Sequence, residues 1–217
     1  MKPDLVSLIG THLPRRMAPF FSDLRWRGSE RSKRVAHLTF DDGPTAGTPR
    51  LLEALARYEA QATFFLLGEQ VERFPEHARA IAETGHAVGN HTFAHPDPWL
   101  TPARRVESEL DRTTTLLENQ VGERVGWARP PYGHVTPSMR RWAKCERREI
   151  VMWDVMPGDF LPWTSPRAVA RRVLQLIRPG SIIVLHDRPP LREVTLPALH
   201  AVLERLTAAG WRFRTLR

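Results

Sequence analysis

VAHLTFDDGP, residues 35–44, is the stretch on which the fold turns. An apolar run, Val35–Phe40, ends on two adjacent carboxylates, Asp41 and Asp42, followed by Gly43 and Pro44. A short apolar run closed by turn residues reads as a buried strand. Two neighbouring carboxylates are costly to bury unless one meets a cation and the other a base or a proton. A plain Asp-rich turn would use the same residues, so the motif alone serves either reading.

Working outward, the same unit recurs along the chain. Further apolar runs lie at Ala62–Leu67, His86–Asn90, Val125–Ala128, Ile150–Trp153, Ile182–Leu185 and Trp211–Leu216. The stretches between them carry helical spacing, as in Leu51, Leu52, Leu55, Tyr58 and again in Val169, Val173, Leu176, Ile177. Four of these stretches open on a hydroxyl residue followed by proline: Thr48-Pro49, Thr101-Pro102, Thr136-Pro137 and Ser165-Pro166. A hydroxyl caps free backbone N–H groups, and proline suits the first helical position. Gly85, Gly180 and Gly210 fall where helices should end. Seven strands alternating with helices imply parallel β-α units, in an open doubly wound sheet or a barrel.

The polar residues separate these two. Asp41 and Asp42 follow the first run, His91 and His95 the third, and Arg129-Pro130-Pro131-Tyr132-Gly133 the fourth. Asp154 and Asp159 follow the fifth, and His186-Asp187 the sixth. A barrel gathers all strand C-termini on one rim, whereas an open sheet would spread them along a line. The expected fold is therefore an α/β, (β/α) barrel of about seven parallel strands. Residues 1–34 form a basic, proline-containing arm expected to pack on the barrel, and residues 35–217 form the catalytic domain.

His91 and His95, four apart, would share one face of a helical turn and with a carboxylate from another strand end could hold a metal. Two histidines and one aspartate leave positions open for water and substrate, a catalytic rather than a structural arrangement. His186, at a strand end, suits proton donation to a leaving amine. His12, His37, His77, His86, His134 and His200 read as arm, strand, turn, helix or loop histidines. Cys145 is the single cysteine, so no intrachain disulfide forms.

Composition narrows the function further. The net charge is +8, but arginine is spread along the chain with one local cluster at 15–34, and no nucleic-acid-binding or nucleotide-loop motif is present. No nucleic-acid partner is expected. No run approaches a transmembrane length. The first 21 residues lack the apolar core and cleavage site of a secretion signal, which points to the cytoplasm. The arm, with Phe20, Phe21 and Trp26, offers an alternative role as a peripheral membrane contact.

In sequence order TFDDGP (39–44), HTFAH (91–95), RPPYG (129–133), a WxxxxxDF segment (153–160) and VLHD (184–187) resemble the motifs of NodB-type polysaccharide deacetylases, carbohydrate esterase family four. The resemblance covers residues 35–216. It implies a distorted, incomplete (β/α) barrel that removes N-acetyl groups from N-acetylglucosamine-type glycans such as peptidoglycan or chitin-like oligomers. It implies one divalent metal, usually zinc with cobalt or nickel as substitutes, held by Asp42, His91 and His95. Asp41 would be the general base, Arg129 its partner, the Tyr132 backbone N–H an oxyanion donor, and His186 the general acid. Asp159 would orient that machinery, and Pro130, Phe160 and Leu185 would line the substrate pocket. The fourth motif departs from the family: Met156 and Asp159-Phe160 stand where Asp and Asp-Trp are frequent, and Asp154 is an additional acid without a role. Hydrolysis of another amide at the same metal, and glycan binding with weak catalysis, are the alternatives.

Overall fold

The apolar runs form the strands of a curled parallel sheet in the computed structural model, which describes residues 4–188 and 191–216. The strands are β1 (Val35–Asp41), β2 (Ala62–Leu66), β3 (Ala87–Asn90), β4 (Trp127–Ala128), β5 (Glu149–Ile150), β6 (Ile182–His186) and β7 (Arg212–Phe213). Their order is β5-β4-β3-β2-β1-β6, with β7 paired to the start of β1. Every pairing is parallel, so the strand C-termini share one rim. β1 is buried along its whole length, as a central strand covered on both faces must be.

In the arm, α1 (Leu5–Ser7) and α2 (Leu13–Met17) belong to one irregular helical run. The crossover helices are α3 (Thr48–Arg57), α4 (Gly68–Arg73), α5 (Pro75–Glu83), α6 (Ala103–Val121), α7 (Pro137–Cys145), α8 (Pro166–Leu176) and α9 (Leu196–Ala208). Their apolar faces meet the sheet in a core that includes Leu38, Phe40, Leu51, Phe64, Ile81 and Leu199, all fully buried. The Phe40 and Phe64 rings stack at 5.0 Å. Each such side chain contributes on the order of 1.5–3 kcal/mol when removed from water.

Two of the four hydroxyl-proline signals act as caps. Thr136 accepts from Met139 N and Ser165 from Ala168 N. Thr48 instead lies inside α3 and donates to Asp187 Oδ2 at 2.5 Å, while α6 opens at Ala103 without a side-chain cap. β4 and β5 are two residues each, shorter than their apolar runs. Beyond Ile150 the backbone turns to serve a side chain: Arg129 donates to Val151 O and Met152 O at 3.2 and 3.0 Å.

The sheet is not closed by direct pairing of β5 with β6. Arg25 N donates to Ile150 O and receives Met152 N on its own carbonyl, at 2.9 and 2.8 Å, and Gly28 N donates to Gly180 O at 2.8 Å. Val184 N bonds Val155 O at 3.0 Å on the same seam. The arm contributes no β-α unit, yet its residues 25–28 bridge the open edge. Asp154, the acid without a role in the sequence, anchors this seam. Its buried carboxylate accepts from Arg178 Nε at 2.9 Å and Ile182 N at 3.0 Å, and pairs with Arg15 at 3.3 Å.

Candidate active site

The rim carries a cavity of about 520 Å³, lined by residues of the β1, β3, β4 and β6 ends, segment 153–160 and the arm. Asp41, Asp42, His91, His95, Pro130, Tyr132, Phe160 and His186 all face it. Strand pairing explains the convergence: Asp41 lies opposite His186 across β1 and β6, and Asn90 lies opposite Ala128. Residues that follow these positions therefore emerge side by side.

The DDGP turn is fixed from below. Asp187, fully buried, accepts from the Thr45 and Thr48 hydroxyls, and its N–H donates to Asp41 O at 2.8 Å. Burial holds the Asp187 carboxyl above the usual carboxylate range, with the two threonine bonds opposing. A Cβ at Gly43 would stand 2.6 Å from Asp187 Oδ2, so glycine is required there. Asp42 adopts φ 73°, which turns its carboxylate into the cavity beside that of Asp41.

His91 and His95 do not share a helical turn. Thr92 and His95 have φ 69° and 56°, left-handed backbone that a helix excludes. The imidazoles converge because a loop is clipped in place: Asn90 Oδ1 accepts from Thr92 N at 2.7 Å, Gly68 N donates to Thr92 O, and Ala94 N donates to Glu109. Phe93 lies 3.5 Å beneath the Arg112 guanidinium.

The metal-ligand atoms of Asp42, His91 and His95 lie within 4.8 Å of one another. Asp42 Oδ1 is 3.5 Å from His91 Nε2 and 3.4 Å from His95 Nε2, and that buried oxygen has no hydrogen-bond partner. His91 Nδ1 lies 2.7 Å from Arg129 O, a bond to a carbonyl that fixes the proton on Nδ1 and leaves the Nε2 lone pair facing the cluster. Burial, reinforced by His91, lowers the His95 pKa to about 4, so its ring is neutral near pH 7, as a ligand must be. Burial opposes ionisation of Asp42, but the neighbouring imidazoles of His91, His186 and His95 hold it well below the usual carboxylate range. An unpartnered carboxylate oxygen facing two imidazole nitrogens fits a single divalent cation.

Arg129 is the largest fully buried side chain among the described residues. It donates to Asp41 Oδ1 and Thr39 Oγ1, both at 2.7 Å, and stacks on Phe65 at 4.1 Å. Each of its three nitrogens donates, to two carbonyls, a hydroxyl and one carboxylate in all, which is how a buried guanidinium is sustained. Asp41 Oδ2, on the free side of that carboxylate, lies 4.0 Å from His91 Nε2.

Across the cavity, Asp159 holds His186 twice, at Nδ1 (2.9 Å) and at the backbone N–H (2.8 Å), and takes a third bond from Thr195. Burial pushes the His186 pKa down, but the Asp159 carboxylate more than offsets it and the net shift is upward. Phe160 packs edge-on against the His186 ring at 4.8 Å. Tyr132, at φ 58° in the PPYG turn, lays its ring against His95 at 4.7 Å.

One expected pocket residue is displaced. Leu185 faces the helices and belongs to the core. Side chains alternate along a strand, so with His186 on the cavity side it is Val184 that lines it. Trp153 and Met156, singled out in the WxxxxxDF segment but not assigned to the pocket, also line it, as do Ile9 and Arg188, which the sequence reading missed. Ile9 and Met156 meet because the arm docks here: Met156 N donates to Thr11 Oγ1 and Trp153 Nε1 to Gly10 O, both at 3.2 Å. Arg188 Nε lies 3.2 Å from Asp42 Oδ2. No local pattern announces Ile9; the step of two along β6 is the signal that would have put Val184 rather than Leu185 on the cavity side.

Comparison with known proteins adds independent findings. The family model described as polysaccharide deacetylase matches residues 28–146. A peptidoglycan-N-acetylglucosamine deacetylase of Bacillus cereus is 35% identical over 85% of this chain and 68% of its own length. A chitooligosaccharide deacetylase of Rhizobium leguminosarum bv. trifolii is 30% identical over 91% of this chain and 97% of its own. A crystal structure of a peptidoglycan N-acetylglucosamine deacetylase in complex with 4-naphthalen-1-yl-N-oxidanyl-benzamide superposes with a TM-score of 0.85. It has 32% identity over 92% of this chain and 94% of that one.

Proposed function

The chain belongs to the polysaccharide deacetylase family, and from that premise we propose that it is a metal-dependent deacetylase. It hydrolyses the N-acetyl groups of N-acetylglucosamine-type glycans, peptidoglycan or chitin-like oligomers, to acetate and a free amine. The observation that carries the proposal is the unpartnered Asp42 oxygen between His91 and His95, with the Asp41–Arg129 pair on one side and the His186–Asp159 pair on the other.

Asp42, His91 and His95 would hold one divalent ion, zinc by donor type, with cobalt or nickel able to substitute. When bound, such an ion polarises a carbonyl and lowers the pKa of water. The protein's own groups do the rest. Asp41, oriented by Arg129 through Oδ1, takes the proton of the attacking water on Oδ2. The Tyr132 backbone N–H, set by the left-handed turn, serves the oxygen of the tetrahedral state. His186, kept protonated by Asp159, gives its proton to the departing nitrogen. Pro130, Phe160, Val184 and Trp153 surround the acyl end and exclude water.

Acetate release from N-acetylglucosamine oligomers tests this with metal-stripped protein, zinc- or cobalt-restored protein, and Asp41→Asn. Release restored by metal and lowered about 10²–10⁴-fold by the substitution is expected. Release that ignores both metal and Asp41 would sink the proposal.

A further inference from the structure

A strip of aromatic rings starts in the cavity at His95 and Tyr132 and leads out of it to His134 and Trp99. The His95 ring contacts Tyr132 at 4.7 Å, Tyr132 approaches His134 at 5.8 Å, and His134 stacks on Trp99 at 3.7 Å with the planes 1° apart. Trp99 remains 65% exposed and Tyr132 61%. A single exposed indole is ordinary, and Trp163 is exposed further; Trp99 differs in belonging to a strip of rings that runs back to His95.

This indole is also held still. Its Nε1 donates to Val135 O at 3.2 Å, and its backbone N–H donates to Asp97 Oδ1 at 2.9 Å. The same Asp97 oxygen lies 2.7 Å from His134 Nδ1, so one carboxylate ties the Trp99 backbone to the ring that stacks on its indole. His134 covers one face of the indole and the other is open. A rigid, one-sided aromatic face loses little entropy on binding, and its shape is that of a platform rather than a core residue awaiting burial. In the sequence His134 reads as an ordinary loop histidine; its place in this strip appears only in three dimensions.

We propose that Trp99, backed by His134 and flanked by Tyr132, is a subsite for a second pyranose ring of an oligosaccharide substrate. A pyranose presents a face of C–H bonds that stacks on an indole while its hydroxyls stay in water. The proposal rests on the deacetylase reading and narrows it: the enzyme takes chains rather than single sugars, and a neighbouring residue of the glycan lies on Trp99 while the N-acetyl group enters the cavity. The continuity of the strip, ring to ring from a metal ligand outward, favours a ligand that also enters the site.

The test compares wild type with Trp99→Ala and Trp99→Phe, each checked for an unchanged melting temperature. Calorimetry on metal-stripped protein measures binding of an N-acetylglucosamine tetramer and dimer, and steady-state acetate release gives KM and kcat for both. Trp99→Ala should weaken tetramer binding and raise its KM by roughly three- to tenfold. Its kcat should stay unchanged, the dimer should lose less, and Trp99→Phe should retain most of the affinity. Equal tetramer binding by wild type and Trp99→Ala overturns the subsite, as does a wild type that binds no tetramer. The binding arm separates the two ideas: a Trp99-dependent tetramer affinity without acetate release keeps the subsite and removes the deacetylase reading. Acetate release indifferent to Trp99 does the reverse.

Discussion

The two sides of the cavity are built differently. On the Asp41–Asp42–His91–Arg129 side, short polar contacts to buried backbone or to another charge fix the groups while leaving Asp42 Oδ1 open: Arg129 to Asp41, Thr39, Val151 and Met152, His91 to Arg129 O, and Asp187 to the DDGP turn. On the His186 side, one carboxylate, Asp159, holds the histidine, and the wall around it is packing among Phe160, Met156, Trp153 and Ile9, drawn from a loop and from the arm. A buried charge network is unforgiving of change, whereas an apolar wall tolerates substitution. The first side therefore carries chemistry that must not move, and the second can vary with the substrate.

The contrast breaks most visibly at Arg129. Arg129→Met should cost about 3–5 kcal/mol of stability, because Asp41 is left buried without its cation, and should remove activity with it. Phe160→Ala, on the other side, should cost little beyond its edge-on ring contact, about 0.5–1.5 kcal/mol, and leave measurable acetate release. Chemical denaturation of the two variants decides; equal losses would erase the distinction between the sides.

The alternation along β6 gives a second, smaller effect. Leu185→Ala should cost about 2–5 kcal/mol with KM little changed, since the side chain is core. Val184→Ala should cost less stability and alter KM. The reverse pattern would put Leu185 back in the pocket.

The smallest effect sharpens the acid side. His186 must be protonated to act, so activity falls as pH rises through its pKa, which Asp159 holds up against the downward pull of burial. Asp159→Asn removes that support and should move the alkaline limb of the kcat profile to lower pH. An alkaline limb that stays in place in Asp159→Asn assigns the acid elsewhere.

The same division shows what the sequence could reveal. Asp41, Asp42, His91, His95 and Arg129 follow strand ends directly, so strand periodicity and motif order locate them. Even there the local mechanism was misread: the HTFAH loop reaches its geometry through left-handed Thr92 and His95, not a helical turn. Ile9 comes from the arm's irregular helical run and Met156 from a loop, and their meeting depends on the arm crossing the β5–β6 edge; nothing within either segment encodes that. Asp154 looked like an unassigned acid because its partners, Arg15 and Arg178, are remote in sequence. Local pattern finds groups fixed by their own strand; it does not find groups assembled by long-range docking.

The central claim is that one divalent ion on Asp42, His91 and His95 is needed for acetate release. It is tested by titrating zinc into metal-stripped wild type and Asp42→Ala while following bound metal and acetate together. Activity that rises with occupancy, saturates at one ion per chain and is absent in Asp42→Ala, with metal affinity sharply lower, is the predicted result. Full acetate release from metal-free wild type, or undiminished zinc binding by Asp42→Ala, would contradict it.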